Sequence, residues 1–119
     1  MEKTISTMIW EVINDISSNK GNYDPATLSS QLITLSTLYA NLTEKIAEFE
    51  YQYQGVVGLA LDKDPDKPYN KIENECKRSE EHYRLKKAQA LEKAVIQIIR
   101  STNKFIRIKE NEQSVARYQ

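Results

Sequence analysis

An acidic segment near the middle of the chain carries oxygen-bearing side chains at the spacing of a calcium-binding loop. They fill positions 1, 3, 5, 9 and 12 of a twelve-residue EF-hand frame: Asp62, Asp64, Asp66, Asn70 and Glu73. The sixth position, which needs glycine for a tight turn, is Lys67, and a proline follows it. The sequence therefore favours a solvated acidic turn over specific calcium binding.

The other residues that could carry chemistry are too few or too far apart. Cys76 and His82 stand on different sides of a helix, so together they do not form a metal site. With one histidine and no glycine-bounded elbow, the chain offers no serine nucleophile with its base. It also lacks a glycine loop that could hold phosphate. We expect no enzyme activity, no cofactor and no metal, with Cys76 packed inside and His82 on the surface.

Basic side chains recur every seven residues in the C-terminal part of the chain. This basic stripe comprises Lys86, Lys93, Arg100 and Arg107, extended by Lys104. At about 100° per residue it lies roughly 150° from the apolar face centred on Leu91 and Val95, and therefore faces outward. It is either a solvated face or a docking surface for an anionic partner, whether a phosphate backbone or an acidic protein. No aromatic residue interleaves with it, which weakens the case for single-stranded nucleic acid.

Formal charge is balanced overall but not along the chain. The 17 Lys and Arg residues equal the 17 Asp and Glu residues, for a net charge of zero. Residues 1–66 hold ten acidic and four basic side chains, a net charge of −6, whereas residues 77–119 hold five acidic and eleven basic ones, a net charge of +6. One interpretation is charge complementarity within the chain, in which the acidic half folds against the basic half. The phase of the basic stripe, however, places it beyond reach of the neighbouring helix.

Glycine and proline are rare, and their positions divide the chain into three helical segments. Two prolines end the second segment. The third segment is interrupted by neither glycine nor proline. We expect a single helical domain over residues 1–119, with helices over about 3–18, 25–61 and 70–116 and a loop over about 62–69.

Two residue pairs predict where the long helices begin. Asp24 is a helix N-cap, and Pro25 fits the first helical position because its missing N–H is not needed there. Asn70 and Glu73 resemble a capping box for the third helix. Whether the second helix continues through its two glycines is left open.

Apolar residues in the second segment recur at alternating four- and three-residue steps. The seam comprises Leu28, Leu32, Leu35, Tyr39, Leu42, Ile46, Phe49 and Tyr53. This heptad spacing predicts an all-α fold: a long, coiled-coil-like antiparallel hairpin with a short N-terminal helix. Because a two-helix hairpin gives each helix only one partner, we expect a homo-oligomer, with a dimer favoured, that uses this seam for self-association.

The stretch from Pro25 to Thr43 contains no charged residue and no histidine. Its positions outside the seam include small polar residues: Ser29, Ser30, Thr34, Ser36 and Thr37. Exposed helices ordinarily carry charges, so we expect this stretch to be covered by the first helix, a second protomer or another partner. Its hydroxyls can bond back to the carbonyls of the helix.

Length and cysteine usage limit the class of protein further. A chain of 119 residues with one cysteine can bury a core without a disulfide framework. No apolar run reaches the roughly 18 residues that span a bilayer, and the first residues show no signal segment. We expect a cytoplasmic protein without a membrane partner.

A resemblance adds a context to these patterns. The chain consists of three parts. They are a compact first helix that opens with residues 1–5, a heptad second helix, and a last helix that contains residues 90–93 and ends at residues 116–119. In this arrangement the chain resembles the small helical early-region proteins of tailed bacteriophages. The resemblance implies a protein of the host cytoplasm that acts by binding, in a class that includes recombination accessories and anti-CRISPR inhibitors. It carries over no functional residue.

Three functions follow, in order of preference. The first is a non-enzymatic interaction protein that binds a host or phage protein complex and modulates or inhibits it, as an anti-CRISPR inhibitor does. The second is a nucleic-acid-binding accessory of recombination or replication that uses the basic stripe. The third is a coiled-coil component of the virion or of its assembly.

Overall fold

The computed structural model describes residues 2–117, which form helices joined by short turns. Met1, Tyr118 and Gln119, which the predicted domain and the resemblance both include, lie outside the described residues. The helices are α1 (Ile5–Asn19), α2 (Pro25–Lys63), α3 (Tyr69–Cys76) and α4 (Glu80–Arg117).

The two long helices, α2 and α4, pack side by side as an antiparallel hairpin, and α1 lies on both of them. Ile16 of α1, Leu28 near the start of α2 and Ile106 near the end of α4 share one cluster. The predicted all-α hairpin with a short N-terminal helix is therefore confirmed. No strand occurs within residues 2–117. None of these helices combines the length and the apolar character needed to cross a membrane.

Side-chain caps set the starts of α1 and α2. The Thr4 hydroxyl accepts the Thr7 N–H, and α1 begins at the next residue after Thr4. At α2 the Asp24 carboxylate accepts the Thr27 N–H at 2.7 Å, and Pro25 occupies the first turn. Hydrogen bonds from the Thr27 side chain and then from its backbone lower the pKa of Asp24. The predicted cap of the second helix is thus confirmed.

The single helix predicted over residues 70–116 is wrong, because a turn at residues 77–79 divides it into α3 and α4. The Ser79 hydroxyl donates to the Cys76 carbonyl at 2.6 Å and accepts the His82 N–H at 3.2 Å. Serine favours the N-cap because its short side chain can replace helical backbone partners in this way. One serine therefore ends α3 and begins α4 without glycine or proline.

The start of α3 also differs from the prediction. The helix begins at Tyr69 and has no side-chain cap, so the capping box of Asn70 and Glu73 does not form. The Pro68 carbonyl accepts the N–H groups of Lys71 and Ile72 at 3.1 and 3.2 Å instead. The fixed φ of proline suits this position, because it leads the chain directly into the helix.

α2 runs through both of its glycines without a break and ends at Lys63. Each interior glycine costs about 0.5–1 kcal/mol relative to alanine. Val57, which lies between them, is buried against Ile72 and Cys76 of α3. Tertiary packing therefore holds this weak part of the helix in place.

The seam predicted for self-association is instead part of the core of the chain itself. Leu28 and Leu35 are fully buried and Leu42 is 2 % exposed. Tyr39, Phe49 and Tyr53 are half-buried against the same core, which Ile9 and Ile13 of α1 and Leu91 and Val95 of α4 complete. Because α1 and α4 cover the seam together, it is not available to a second copy of the folded chain. Homo-oligomerisation stays a prediction and would need another surface.

Asp15 ties α1 to the following turn and to α2. Its carboxylate accepts hydrogen bonds from the Tyr23 hydroxyl at 2.8 Å, the Asn19 side chain at 3.0 Å and the Gln31 side chain at 2.6 Å. The hydrogen bond to Asp15 raises the pKa of Tyr23. Together these contacts fix how α1 lies on the hairpin, and hence where its outer side chains point.

Cys76 and His82 flank the turn between α3 and α4. Cys76 is buried with a free thiol, as predicted. His82 is half-buried, with its ring centroid 4.9 Å from that of Tyr53. The prediction of a surface histidine is therefore wrong, because the capped turn folds His82 back onto α2.

The pair of variants Leu35→Ala and Ile33→Ala tests whether the seam is an intrachain core. Leu35 is 0 % exposed, whereas Ile33 on the same helix is 69 % exposed. We expect Leu35→Ala to lower the free energy of unfolding by about 2–5 kcal/mol, because it leaves a cavity, and Ile33→Ala to lower it by less than about 1 kcal/mol. Urea denaturation followed by circular dichroism measures both. Equal losses would contradict the placement of the seam.

Thr102 offers a second test of the core. It is fully buried in α4, and its hydroxyl has no hydrogen-bond partner among the described residues. We expect Thr102→Val to raise the free energy of unfolding by about 1 kcal/mol, because it removes a desolvated polar group at nearly constant volume. The control Thr102→Ser, which keeps the hydroxyl and loses the methyl group, should lower the same quantity. Destabilisation by Thr102→Val in urea denaturation would show that the hydroxyl is hydrogen-bonded after all.

Candidate functional site

The basic stripe lies on the outer face of α4, as its phase predicts. All five of its side chains are exposed, and none forms an ion pair with another residue of the described chain. The stripe comprises Lys86, Lys93, Arg100, Lys104 and Arg107. Two other cations of α4 do form pairs: Arg84 contacts Glu80 at 2.7 Å, and Lys109 contacts Glu112 at 3.9 Å. Lys87 is unpaired within the described chain but lies off the line of the stripe. The acidic half of the chain therefore leaves the stripe without a counter-charge.

The stripe is straight and regular. Because α4 is one uninterrupted helix from Glu80 to Arg117, residues spaced by seven lie about 10 Å apart in a line nearly parallel to the helix axis. From Lys86 to Arg107 the stripe is about 32 Å long. Beyond Arg107 the exposed face turns apolar, with Ile108 and Val115. This face can contact a long, straight object more fully than a sharply curved one.

A groove opens between α1 and α4 beside the stripe. Its volume is about 650 Å³, and it is lined by Trp10, Ile13, Ala94, Gln97, Ile98, Arg100, Ser101 and Lys104. Ile13 and Ile98 give the groove an apolar floor, and Arg100 and Lys104 belong to the basic stripe as well. The groove therefore joins apolar surface to unpaired positive charge.

Trp10 is the residue of this site that the sequence did not predict. It follows the buried Ile9 in α1 and so lies about 100° further round the helix, at the edge of the buried face. There it is 46 % exposed. The aromatic residues of α4, Tyr83 and Phe105, do not line the groove. Packing of α1 instead brings Trp10 beside Arg100 and Lys104. The signal was present in α1, as a large aromatic residue next to the apolar face.

A second basic pocket, near the start of α1, is a weaker candidate. Lys3, Lys45, Arg84 and Lys87 line it. Three of these four cations already pair with carboxylates: Lys3 with Glu11 at 2.8 Å, Lys45 with Glu48 at 3.3 Å, and Arg84 with Glu80 at 2.7 Å. Its charge is therefore largely neutralised within the chain, unlike that of the basic stripe.

The uncharged stretch of α2 is covered on one side only. α1 packs against Leu28 and Leu32, but the small polar residues remain exposed on the opposite side, around Ile33. The hydroxyls of Thr34 and Thr37 donate to carbonyls one turn earlier, as predicted, both at 3.2 Å. Residues 2–117 do not provide the expected cover on a second side.

The acidic segment does not assemble the calcium ligands that its spacing suggested. Asp62 is part of α2, whereas Asn70 and Glu73 lie in α3. Lys67 reaches Glu75 at 2.7 Å, and this contact raises the pKa of Lys67 and lowers that of Glu75. Within residues 2–117, no group of three His, Cys, Asp or Glu side chains is placed to hold a metal ion.

Comparison of the chain with protein-family models, curated proteins and solved structures finds no match. The phage context therefore stays a prediction. The function has to be argued from the basic stripe and the groove beside it.

Lys104→Glu tests whether the stripe is unpaired in the fold. Lys104 stands one turn from both Arg100 and Arg107, so like charges face one another along α4. We expect Lys104→Glu to raise the free energy of unfolding by about 0.5–1 kcal/mol at low salt, because two repulsions become attractions. Lys104→Gln should give about half of that gain, and both gains should shrink in high salt. Urea denaturation at low and high salt measures them. A loss of stability would mean that Lys104 has an attractive partner in the fold.

Proposed function

We propose that this protein is a non-enzymatic binding protein that docks the outer face of α4 onto an acidic helical surface of another protein. The observation that carries the proposal is the unpaired basic stripe. Its five cations are exposed, aligned and without carboxylate partners in the described chain. Self-repulsion along such a face costs stability, and an anionic partner would offset that cost.

The spacing of the stripe favours a protein over a nucleic acid. Cations about 10 Å apart in a straight line match acidic side chains that repeat every seven residues along a second helix. Phosphates of one DNA strand follow each other about every 3.4 Å along the axis and wind around it. The cations of a straight helix face can therefore contact only some of the phosphates of such a strand. Paired helices instead keep the two charge patterns in register over the whole stripe.

A nucleic-acid-binding accessory is the second candidate, and one observation favours it. Trp10 lies beside Arg100 and Lys104, so a base could stack on the indole while phosphates contact the two cations. The groove offers one aromatic residue, however, whereas proteins that track single strands stack successive bases on several.

A protein of the proposed kind acts by covering its partner. Occupying an acidic surface of the partner blocks whatever that surface normally contacts. In a nucleic-acid-binding complex, this acidic surface would be a regulatory face or a subunit interface. By blocking a surface in this way, the protein would modulate or inhibit a host or phage complex, as an anti-CRISPR inhibitor does. The phage setting and a virion role stay predictions from the sequence.

Binding of model partners tests the proposal. The probes are a labelled helical peptide of about four heptads with glutamate at its e and g positions, a scrambled peptide of the same composition, and duplex DNA. The stripe variant combines Lys93→Glu, Arg100→Glu and Arg107→Glu. The control variant combines Lys63→Glu, Lys71→Glu and Arg78→Glu, which lie off the stripe, are exposed, and change the net charge equally.

We expect the wild type and the control variant to bind the ordered peptide at least about tenfold more tightly than the stripe variant does. Fluorescence anisotropy at low and high salt measures this, and affinity should fall as salt rises. Equal binding of the ordered and scrambled peptides would overturn the docking of aligned helices. Tighter, salt-dependent binding of duplex DNA by the wild type would overturn the proposal in favour of the nucleic-acid accessory.

A further inference from the structure

The groove between α1 and α4 has properties that a purely electrostatic face does not need. Trp10 forms one wall and stays 46 % exposed, although it is a large aromatic side chain at a helix packing edge. Ala94 lies in the lining and leaves room for another group. The groove is shallow and open to solvent along much of its surface, so it can take a side chain of a partner protein but does not enclose a small molecule.

The groove combines charged and apolar side chains. Arg100 and Lys104 stand one helical turn apart on the α4 rim, about 6 Å from each other along the axis. Ile13 is buried, Ile98 is half-buried and Trp10 is exposed, and all three line the same groove. An occupant that satisfies the whole lining must present carboxylates to Arg100 and Lys104 and a large apolar group to Ile98 and Trp10.

We propose that this groove is an anchor pocket for an acidic segment of a partner protein that carries one large apolar side chain. The apolar side chain lies on Ile98 against the Trp10 ring, and flanking carboxylates pair with Arg100 and Lys104. This inference rests on the proposed function, since the pocket adjoins the same face of α4. Binding energy at interfaces concentrates in aromatic and arginine residues within such pockets, whereas aligned surface charges mainly give orientation.

Charge complementarity identifies the occupant. A basic segment would be repelled by Arg100 and Lys104, neither of which has a carboxylate partner in the described chain. An uncharged apolar segment would leave both cations desolvated and unpaired, which costs binding energy. An acidic segment with a central Phe or Leu removes both problems.

Two peptides separate the pocket from the charged face. The probes are the ordered acidic peptide described above, with either Phe or Ala at one central position on its glutamate-bearing face. Trp10 is the only tryptophan of the chain, so its emission reports directly on the groove. We expect the Phe peptide to bind wild type about tenfold more tightly than the Ala peptide, and to shift Trp10 emission to shorter wavelength.

Variants of the groove supply the controls. Trp10→Ala should bring the two peptides to within about twofold of each other without weakening the Ala peptide, and Trp10→Phe should retain most of the difference. Ser101→Phe, at an exposed position of the lining, keeps the core intact and should also abolish the difference by filling the groove. Circular dichroism confirms that each variant is folded.

The outcomes distinguish the two proposals. If neither peptide binds, the proposed function fails and the pocket fails with it. If both peptides bind equally and Trp10 emission does not change, the anchor pocket is wrong while the docking face stands. Stronger quenching of Trp10 by oligothymidine than by either peptide would overturn the pocket in favour of a base-stacking site.

Discussion

Burial of the α2 seam by two other helices of the same chain is the constraint on which the rest of the structure depends. Leu35 of α2, Ile9 of α1 and Val95 of α4 are all fully buried in one cluster. Removing such side chains from water is the dominant favourable term in folding, at about 25 cal/mol per Å² of apolar surface. Because α1 and α4 cover the seam, each of them has one buried face and one exposed face. A contact with another molecule therefore has to use the exposed faces of the helices.

The free face of α4 is distinguished from the rest of the surface by charge. Six of the eleven other described cations contact a carboxylate, as Arg84 does with Glu80, and the five that do not are spread over α2, α3, α4 and the turns. The five cations of the basic stripe contact no carboxylate of the described chain, because α2 packs on the opposite side of α4. Docking of α1 then adds an indole ring to a surface that would otherwise be purely electrostatic. The same packing that closes the core thus assembles the candidate site from two helices.

Local patterns in the sequence predicted the features that depend on neighbours in the chain. Heptad spacing identified the seam, the pair Asp24 and Pro25 identified the start of α2, and helical phase placed the basic stripe on the outside. The break at Ser79 was missed because it depends on one hydroxyl reaching Cys76 and His82, without glycine or proline to mark it. Trp10 was missed because its place beside α4 depends on how α1 packs.

The apolar pattern also could not predict which helices cover the seam. A periodic apolar face shows that a side of a helix is buried, but not whether the cover comes from the same chain or another. Here the short α1 supplies part of that cover, anchored by the hydrogen bonds of Asp15 to Tyr23 and Gln31. The predicted oligomer rested on a hairpin with two helices in contact, whereas the described fold brings three helices to the core.

We propose that binding occurs on the outer face of α4 and in the groove beside Trp10. Mapping of NMR shift changes during titration of the folded, labelled protein with the ordered acidic peptide tests it most directly. The account predicts that the largest changes fall on the Trp10 indole and on residues 93–107. Changes concentrated on the outer face of α2 around Ile33, or in the turn at residues 64–68, would contradict it.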